Sequence, residues 1–337
     1  MNGGVSAREG IAPVSGEGSA LSGLSRQRAN VPLESRVARR LSRSVLTIIL
    51  GCALAAGIAE SPKACTLWSA SGQAVGGGTL LAKNRDYSPD SYGRLVLTRP
   101  DNGMAYLGYL AQVKGRERLV AGVNEAGLAV VSASASSIPK AERQAPSAVK
   151  ALLARILTQA TSVDEVLSRQ DWFAGHSPVM YMLADGRKAA WVEVGADGRM
   201  AWRETDKDTL AHTNHFLSPD LAGQNVKAGQ SSHTRLDRIT ALLAGQKTFT
   251  LEDFERFSSD RNAGPDNSIF RTGSTPHSTR TMARFMVRDL PGQPPEALVA
   301  GFEDPARPWR VRLVLDAAFW AQVRKGQTLP LAPRLTP

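Results

Sequence analysis

The stretch 65–86, CTLWSASGQAVGGGTLLAKNRD, limits what this chain can fold into more than any other part of it. Strand-like residues follow Cys65 (Thr66, Leu67, Trp68, Ser69), a turn closes on Gly76, Gly77 and Gly78, and a second run at 79–81 leads into Lys83, Asn84, Arg85 and Asp86. This pattern predicts a β-hairpin. A hairpin of this length returns its far end to its start, so Arg85 and Asp86 are expected beside Cys65. A thiol next to a cation has a depressed pKa, and a chain-terminal amine, with a reference pKa of about 8, can accept a proton near neutral pH. A small-residue, Gly-marked break ahead of Cys65 makes it a candidate new N-terminus, where one residue would be both nucleophile and base.

What precedes Cys65 supports that reading. The opening residues are rich in Gly, Ser and Ala without hydrophobic period and read as disordered. Arg36, Arg39, Arg40 and Arg43 then precede an apolar run at 45–59. A basic region before a short apolar one reads as a secretory signal, because a membrane span needs roughly 20 apolar residues. Gly57, Ile58 and Ala59 form a usable cleavage site. The Arg39, Arg40 pair invites a twin-arginine reading, but Leu41, Ser42 and Arg43 are too polar a continuation. Lipidation at Cys52 is the weaker alternative, since the apolar run continues past it. The expected organisation is therefore 1–64 as leader, signal and short propeptide, with 65–337 as a single exported domain, periplasmic or secreted, with no membrane span of its own.

Charge and cysteine content narrow the function. The net charge is +10, of which the leader supplies a surplus of four, and the remainder is scattered without a basic helix or an aromatic-interleaved patch. Nucleic acid is not an expected partner. Of the two cysteines, Cys52 lies in the leader, so the exported part would carry Cys65 alone. That excludes an intramolecular disulfide and the zinc patterns built on paired cysteines. A buried structural thiol is the plain reading of a lone cysteine; its place at the head of the folded part of an exported chain favours chemistry.

Beyond the hairpin, strands are expected at 94–99, 104–113, 119–123 and 128–134, the last two joined by a turn at Asn124 to Gly127. Helical spacing follows at Val149, Leu152, Leu153, Ile156 and Leu157, and Ser162 with Glu165 reads as a capping box. Strands return at 179–183, 189–194 and 200–203. Leu236, Ile239, Leu242 and Leu243 mark a third helix, and Thr250 with Asp253 opens a fourth. Strands at 282–287 and 311–315 and a short helix at 317–323 end the pattern. Two strand groups around helical pairs predict packed sheets with helices outside, an α+β domain.

Cys65-Thr66, Asn84-Arg85-Asp86, the segment 122–128 (GVNEAGL), 212–216 (HTNHF) and 231–235 (SSHTR) occur in the order seen in N-terminal-nucleophile amide hydrolases. The chain resembles the group containing choloylglycine hydrolases, penicillin V acylases, acid ceramidase and the acyl-coenzyme A:6-aminopenicillanate acyltransferases, and is most similar to the last branch. The resemblance spans Cys65 to about Arg235. It implies a four-layer αββα sandwich, no cofactor or metal, a small-molecule N-acyl amide as substrate, and room for a homo-oligomer. It also implies roles: Cys65 as nucleophile after loss of Ala64, its α-amine as base, Arg85 favouring the thiolate, Asp86 holding the amine, Asn214 donating to the oxyanion, and Arg235 near the site. Ser134 stands where the bile-salt-hydrolase branch has an oxyanion-hole Asn, which argues against a bile-acid substrate.

Other readings stay open at this level. His212 and His215 with Asp208 and Asp220 match no ligand spacing. A Cys65–His212 dyad is the rival mechanism, needing no cut before Cys65. Asn124 reads as a turn residue. Trp68, Tyr87, Trp172, Phe173 and Tyr181 are candidates for an acyl pocket or for the core.

Overall fold

A computed structural model describes residues 64–331, apart from 114, 144–146, 148 and 150. The expected leader, signal and Cys52 lie outside the described residues. The hairpin is present and longer than the sequence pattern suggested: β1 (Ala64–Gly72) and β2 (Gly78–Tyr87) pair antiparallel along their whole length. Between them, Gly76 and Gly77 hold φ of 86° and 95°, the left-handed region that side chains disfavour. Gly78 is required for a different reason, since a Cβ there would lie 2.0 Å from the Asp289 carbonyl oxygen.

An antiparallel meander follows: β3 (Tyr92–Arg99), β4 (Tyr106–Val113), β5 (Arg116–Asn124), β6 (Ala129–Ser134), β7 (Val179–Ala184), β8 (Ala189–Val194) and β9 (Met200–Thr205). β10 (Thr209–His212) then returns to the free edge of β1. β11 (Arg280–Asp289), β12 (Glu296–Gly301) and β13 (Trp309–Val314) extend the sheet from β2, and β14 (Gln327–Pro330) pairs with β3. The result is a six-stranded sheet, β10-β1-β2-β11-β12-β13, and an eight-stranded sheet, β14-β3-β4-β5-β6-β7-β8-β9.

Period-two alternation sorts the side chains into layers. Leu67, Leu81, Phe285 and Val299 from one sheet meet Leu95, Leu107, Val131 and Met182 from the other in a shared core. The outer face of the eight-stranded sheet is covered by α1 (Leu152–Gln159) and α2 (Val163–Ser168), with Ile156, Leu157 and Val166 packed on Val130, Tyr181 and Val192. The outer face of the six-stranded sheet is covered by α3 (Gln230–Ala244) and α4 (Leu251–Ser258), with Ile239, Leu243, Phe254 and Phe257 packed on Trp68, Leu80 and Met286. The order is helix, sheet, sheet, helix: the αββα sandwich of the N-terminal-nucleophile hydrolase fold.

The capping signals differ in detail. Thr250 and Asp253 form the full reciprocal box. Ser162 accepts from the Glu165 N–H, but the Glu165 carboxylate turns back to Thr161, one residue further out. Asn124 does more than shape its turn: its Nδ2 donates to the carbonyls of Leu157 (3.0 Å) and Ala160 (2.7 Å), tying the β5–β6 turn to the end of α1.

Candidate active site

Register places the chemistry. Cys65 stands opposite Arg85, Ala64 opposite Asp86, and Leu67 opposite Lys83. Opposed residues in an antiparallel pair project from the same face, with Cβ atoms about 4.5–5.5 Å apart. Cys65, Lys83 and Arg85 therefore share the face that looks between the sheets, while Thr66, Asn84 and Asp86 look toward the helices. Asn84 illustrates the outer set: its Nδ2 donates to the carbonyls of Ser258 (2.8 Å) and Ile269 (2.9 Å), fastening β2 to the helical layer.

The backbone of Cys65 is held at both ends. Its N–H donates to Asn214 Oδ1 (2.8 Å), and its carbonyl accepts from Arg235 Nη1 (2.5 Å). Arg235, on α3, also donates to Thr66 Oγ1 (2.9 Å) and, through Nη2, to Asn214 Oδ1 (3.0 Å). Asn214 Nδ2 donates to the Ser134 carbonyl at the end of β6 (2.8 Å). Since a guanidinium can only donate and a carbonyl only accept, the orientation of the Asn214 amide is fixed by its partners. One of its two amide protons is used in this way; the other makes no hydrogen bond among the described residues. The Asn214 backbone is pinned by Ser232 Oγ (3.1 Å) and by the Ser137 N–H (3.1 Å). Burial brings Arg235 down to about 10, with Asp86 and the Cys65 thiol acting against the fall and Arg271 adding to it.

Asp86 is fully buried. One oxygen accepts from Thr281 Oγ1 (2.8 Å), and the other has no hydrogen-bond partner. Desolvation pushes its pKa up to about 6, against the opposing pull of Arg271, Arg235 and Arg85. While Ala64 is attached, the Cys65 nitrogen is an uncharged amide and offers this carboxylate no charge. The linkage follows. A carboxyl whose folded pKa is about 6, against an ordinary 3.8, binds more protons in the folded state between those values, so stability falls as pH rises through that window. On a chain retaining Ala64, Asp86→Asn should remove this loss. The difference in Tm between variant and parent should then grow from pH 4 to pH 6.5, and a pH-independent difference would contradict it.

The Arg85 guanidinium turns to Ser91 Oγ (2.6 Å), itself bonded to the Gln112 carbonyl, and lies 4.9 Å over the Tyr87 ring. The buried groups coupled electrostatically to the Cys65 thiol are Lys83 and Arg235. Lys83 makes one hydrogen bond, to the Val120 carbonyl (2.8 Å), and burial lowers its pKa to about 8 despite the thiol's opposing effect. Sequence reading passed over Lys83, although its two-residue spacing from Arg85 already put it on the face of Cys65. Thr281 and Arg271, which surround Asp86, carried no such signal.

His212 supplies no base to Cys65. Both ring nitrogens face acceptors, Nε2 the Glu193 carboxylate (2.8 Å) and Nδ1 the Thr213 carbonyl (3.1 Å), so neither offers a lone pair to a thiol. Four of the five aromatic residues considered for a pocket fall elsewhere. Trp68 packs on Phe254 under the helices, and Trp172, Phe173 and Tyr181 lie in the outer layer beneath α1 and α2. Of the five, only Tyr87, beneath Arg85, adjoins the site. Among the described residues, no group of three or more His, Cys, Asp or Glu is placed to hold a metal.

Two solved structures of conjugated bile acid hydrolase variants from Clostridium perfringens are similar in fold. They have TM-scores of 0.52 and 0.52 at 13% and 12% identity, covering 80% and 79% of this chain and 97% and 96% of theirs. An N-acylethanolamine-hydrolyzing acid amidase ortholog from Caenorhabditis elegans aligns at a TM-score of 0.44 and 14% identity, over 80% of this chain and 100% of that one. No curated protein sequence matches. The family model for acyl-coenzyme A:6-aminopenicillanic acid acyl-transferase matches residues 74–292, a span that contains Lys83, Asp86, Asn214 and Arg235 and begins after Cys65. With that match across most of the folded chain, the protein belongs to the acyl-coenzyme A:6-aminopenicillanic acid acyl-transferase family.

Proposed function

We propose that this chain is an exported, self-processing cysteine amidohydrolase that cleaves a linear N-acyl amide through a thioester on Cys65. The observation that carries the reading is the clamp on Cys65: its nitrogen on Asn214, its carbonyl on Arg235, and an unpartnered Asp86 oxygen on the residue opposite Ala64. Removing residues up to Ala64 turns that nitrogen into an amine, which takes the thiol proton as Sγ attacks the substrate carbonyl. The free N–H of Asn214 donates to the developing oxyanion. Collapse breaks the C–N bond, and the ammonium returns the proton to the leaving amine. A water, deprotonated by the same amine, then attacks the thioester, releasing the acid and restoring the thiol. Asp86 anchors the ammonium, and Lys83 supports the thiolate between the sheets.

Hydrolysis is preferred to acyl transfer because an exported enzyme meets no coenzyme A. The structures of the same fold are named for hydrolysis, whereas the family is named for an acyl transfer. The test is to mix the purified protein with N-acyl amino acids, acyl-homoserine lactones and penicillin V, quench in acid and weigh the intact chain. A substrate should leave an acyl adduct on Cys65 that vanishes in Cys65→Ala. Turnover of any of these amides by Cys65→Ala at the parent rate would overturn the reading.

A further inference from the structure

The buried groups coupled to Cys65 or Asp86 are unbalanced in charge. Lys83, Arg85, Arg235 and Arg271 are all buried, and Asp86 is the one carboxylate among them. Glu303, a second buried acid that Arg85 influences, is taken up by Tyr109 Oη (2.6 Å) and Trp309 Nε1 (3.3 Å), and neither carboxylate hydrogen-bonds to Arg85 among the described residues. Arg85 is 5% exposed, yet its Nη1 has no hydrogen-bond partner among the described residues. A buried guanidinium with an idle donor is costly unless an anion completes it. Arg85 also stands directly opposite Cys65 and on its face, so a substrate reaching the thiol between the sheets meets this side chain. Lys83 cannot serve in the same way, as it is committed to the Val120 carbonyl and coupled to the thiol itself.

We infer that Arg85 binds a carboxylate on the substrate, so that the enzyme selects anionic amides. This rests on Cys65 being the nucleophile, as proposed above. The carboxylate belongs either to the released amine, as in an N-acyl amino acid, or to the acyl part, as in the half-amide of a dicarboxylic acid.

Two alkylating agents of similar size read the site without a known substrate: iodoacetate, an anion, and iodoacetamide, its neutral counterpart. Their rate ratio at Cys65 is independent of how much thiolate is present, because both reagents consume the same species. Relative to 2-mercaptoethanol, the ratio should favour iodoacetate by about tenfold in the parent and fall by about fivefold in Arg85→Met, with Arg85→Lys retaining most of the preference. A parent ratio equal to that of 2-mercaptoethanol overturns the inference even if the methionine variant fails to fold. So does an undiminished ratio in folded Arg85→Met, which would place the anion on a group other than Arg85. Slow labelling by both reagents with the ratio still raised would instead sink the nucleophile reading and leave the anion site standing. Protection of Cys65 by N-butyrylglycine over N-butyrylglycinamide assigns the carboxylate to the amine, and protection by succinamate over butyramide assigns it to the acyl part. Protection by neither anion beyond its neutral partner counts against the inference.

Discussion

Asn214→Ala should lower kcat by roughly a hundredfold or more, the cost of losing one oxyanion donor, on the order of 3–4 kcal/mol. The same change strips the acceptor from the Cys65 nitrogen and from Arg235 Nη2 and the donor from the Ser134 carbonyl, so some loss of stability accompanies it. Asn214→Asp separates the two roles. It keeps an oxygen for Cys65 and Arg235 but removes both amide N–H groups and sets a negative charge where the oxyanion would form. If oxyanion donation is what matters, the aspartate variant should be at least as slow as the alanine one. Activity within about threefold of the parent in either variant, with the fold intact by circular dichroism, would remove Asn214 from the chemistry.

The hairpin was legible because its signals are local: alternation, a glycine-closed turn and a polar end two strands' length from a lone cysteine. The layers were legible for a related reason, since helical spacing at 152–157 and 236–243 survives in any tertiary context. β12 was not foreseen. Its sequence, EALVAG, is buried along its whole length in the interior of the six-stranded sheet, so it shows no alternation, and Ala and Gly carry little strand preference. β14 is an edge strand ending in Pro330, which reads as loop. At the site, period two should have separated Trp68 from the face of Cys65, an odd number of residues away. It could not separate Lys83 from Arg85, because both lie on one face. What divides them is capture of the Arg85 guanidinium by Ser91 and Tyr87, a contact outside the hairpin register that spacing does not encode. Asn214 and Arg235 were reached through family resemblance. Their joint grip on Cys65 spans sequence separations of 149 and 170 residues, beyond the reach of any local pattern.

The proposed chemistry depends on where the working chain begins. While Ala64 is joined to Cys65, the nitrogen bonded to Asn214 is a peptide amide and cannot accept a proton near neutral pH. On the proposed mechanism, the segment Ser61, Pro62, Lys63, Ala64 leaves before the thiol has its base. Cys65→Ala should abolish amide turnover and, if the cut depends on the thiol, leave residues 60–64 attached. Cys65→Ser should turn over slowly, a hydroxyl being the poorer nucleophile. The most direct measurement is the intact mass and N-terminal fragment series of the active protein purified from its producing cells. Cys65 as the first residue, with a free α-amine, is the predicted result. Full activity in a chain that keeps Ala64 in peptide linkage would contradict it.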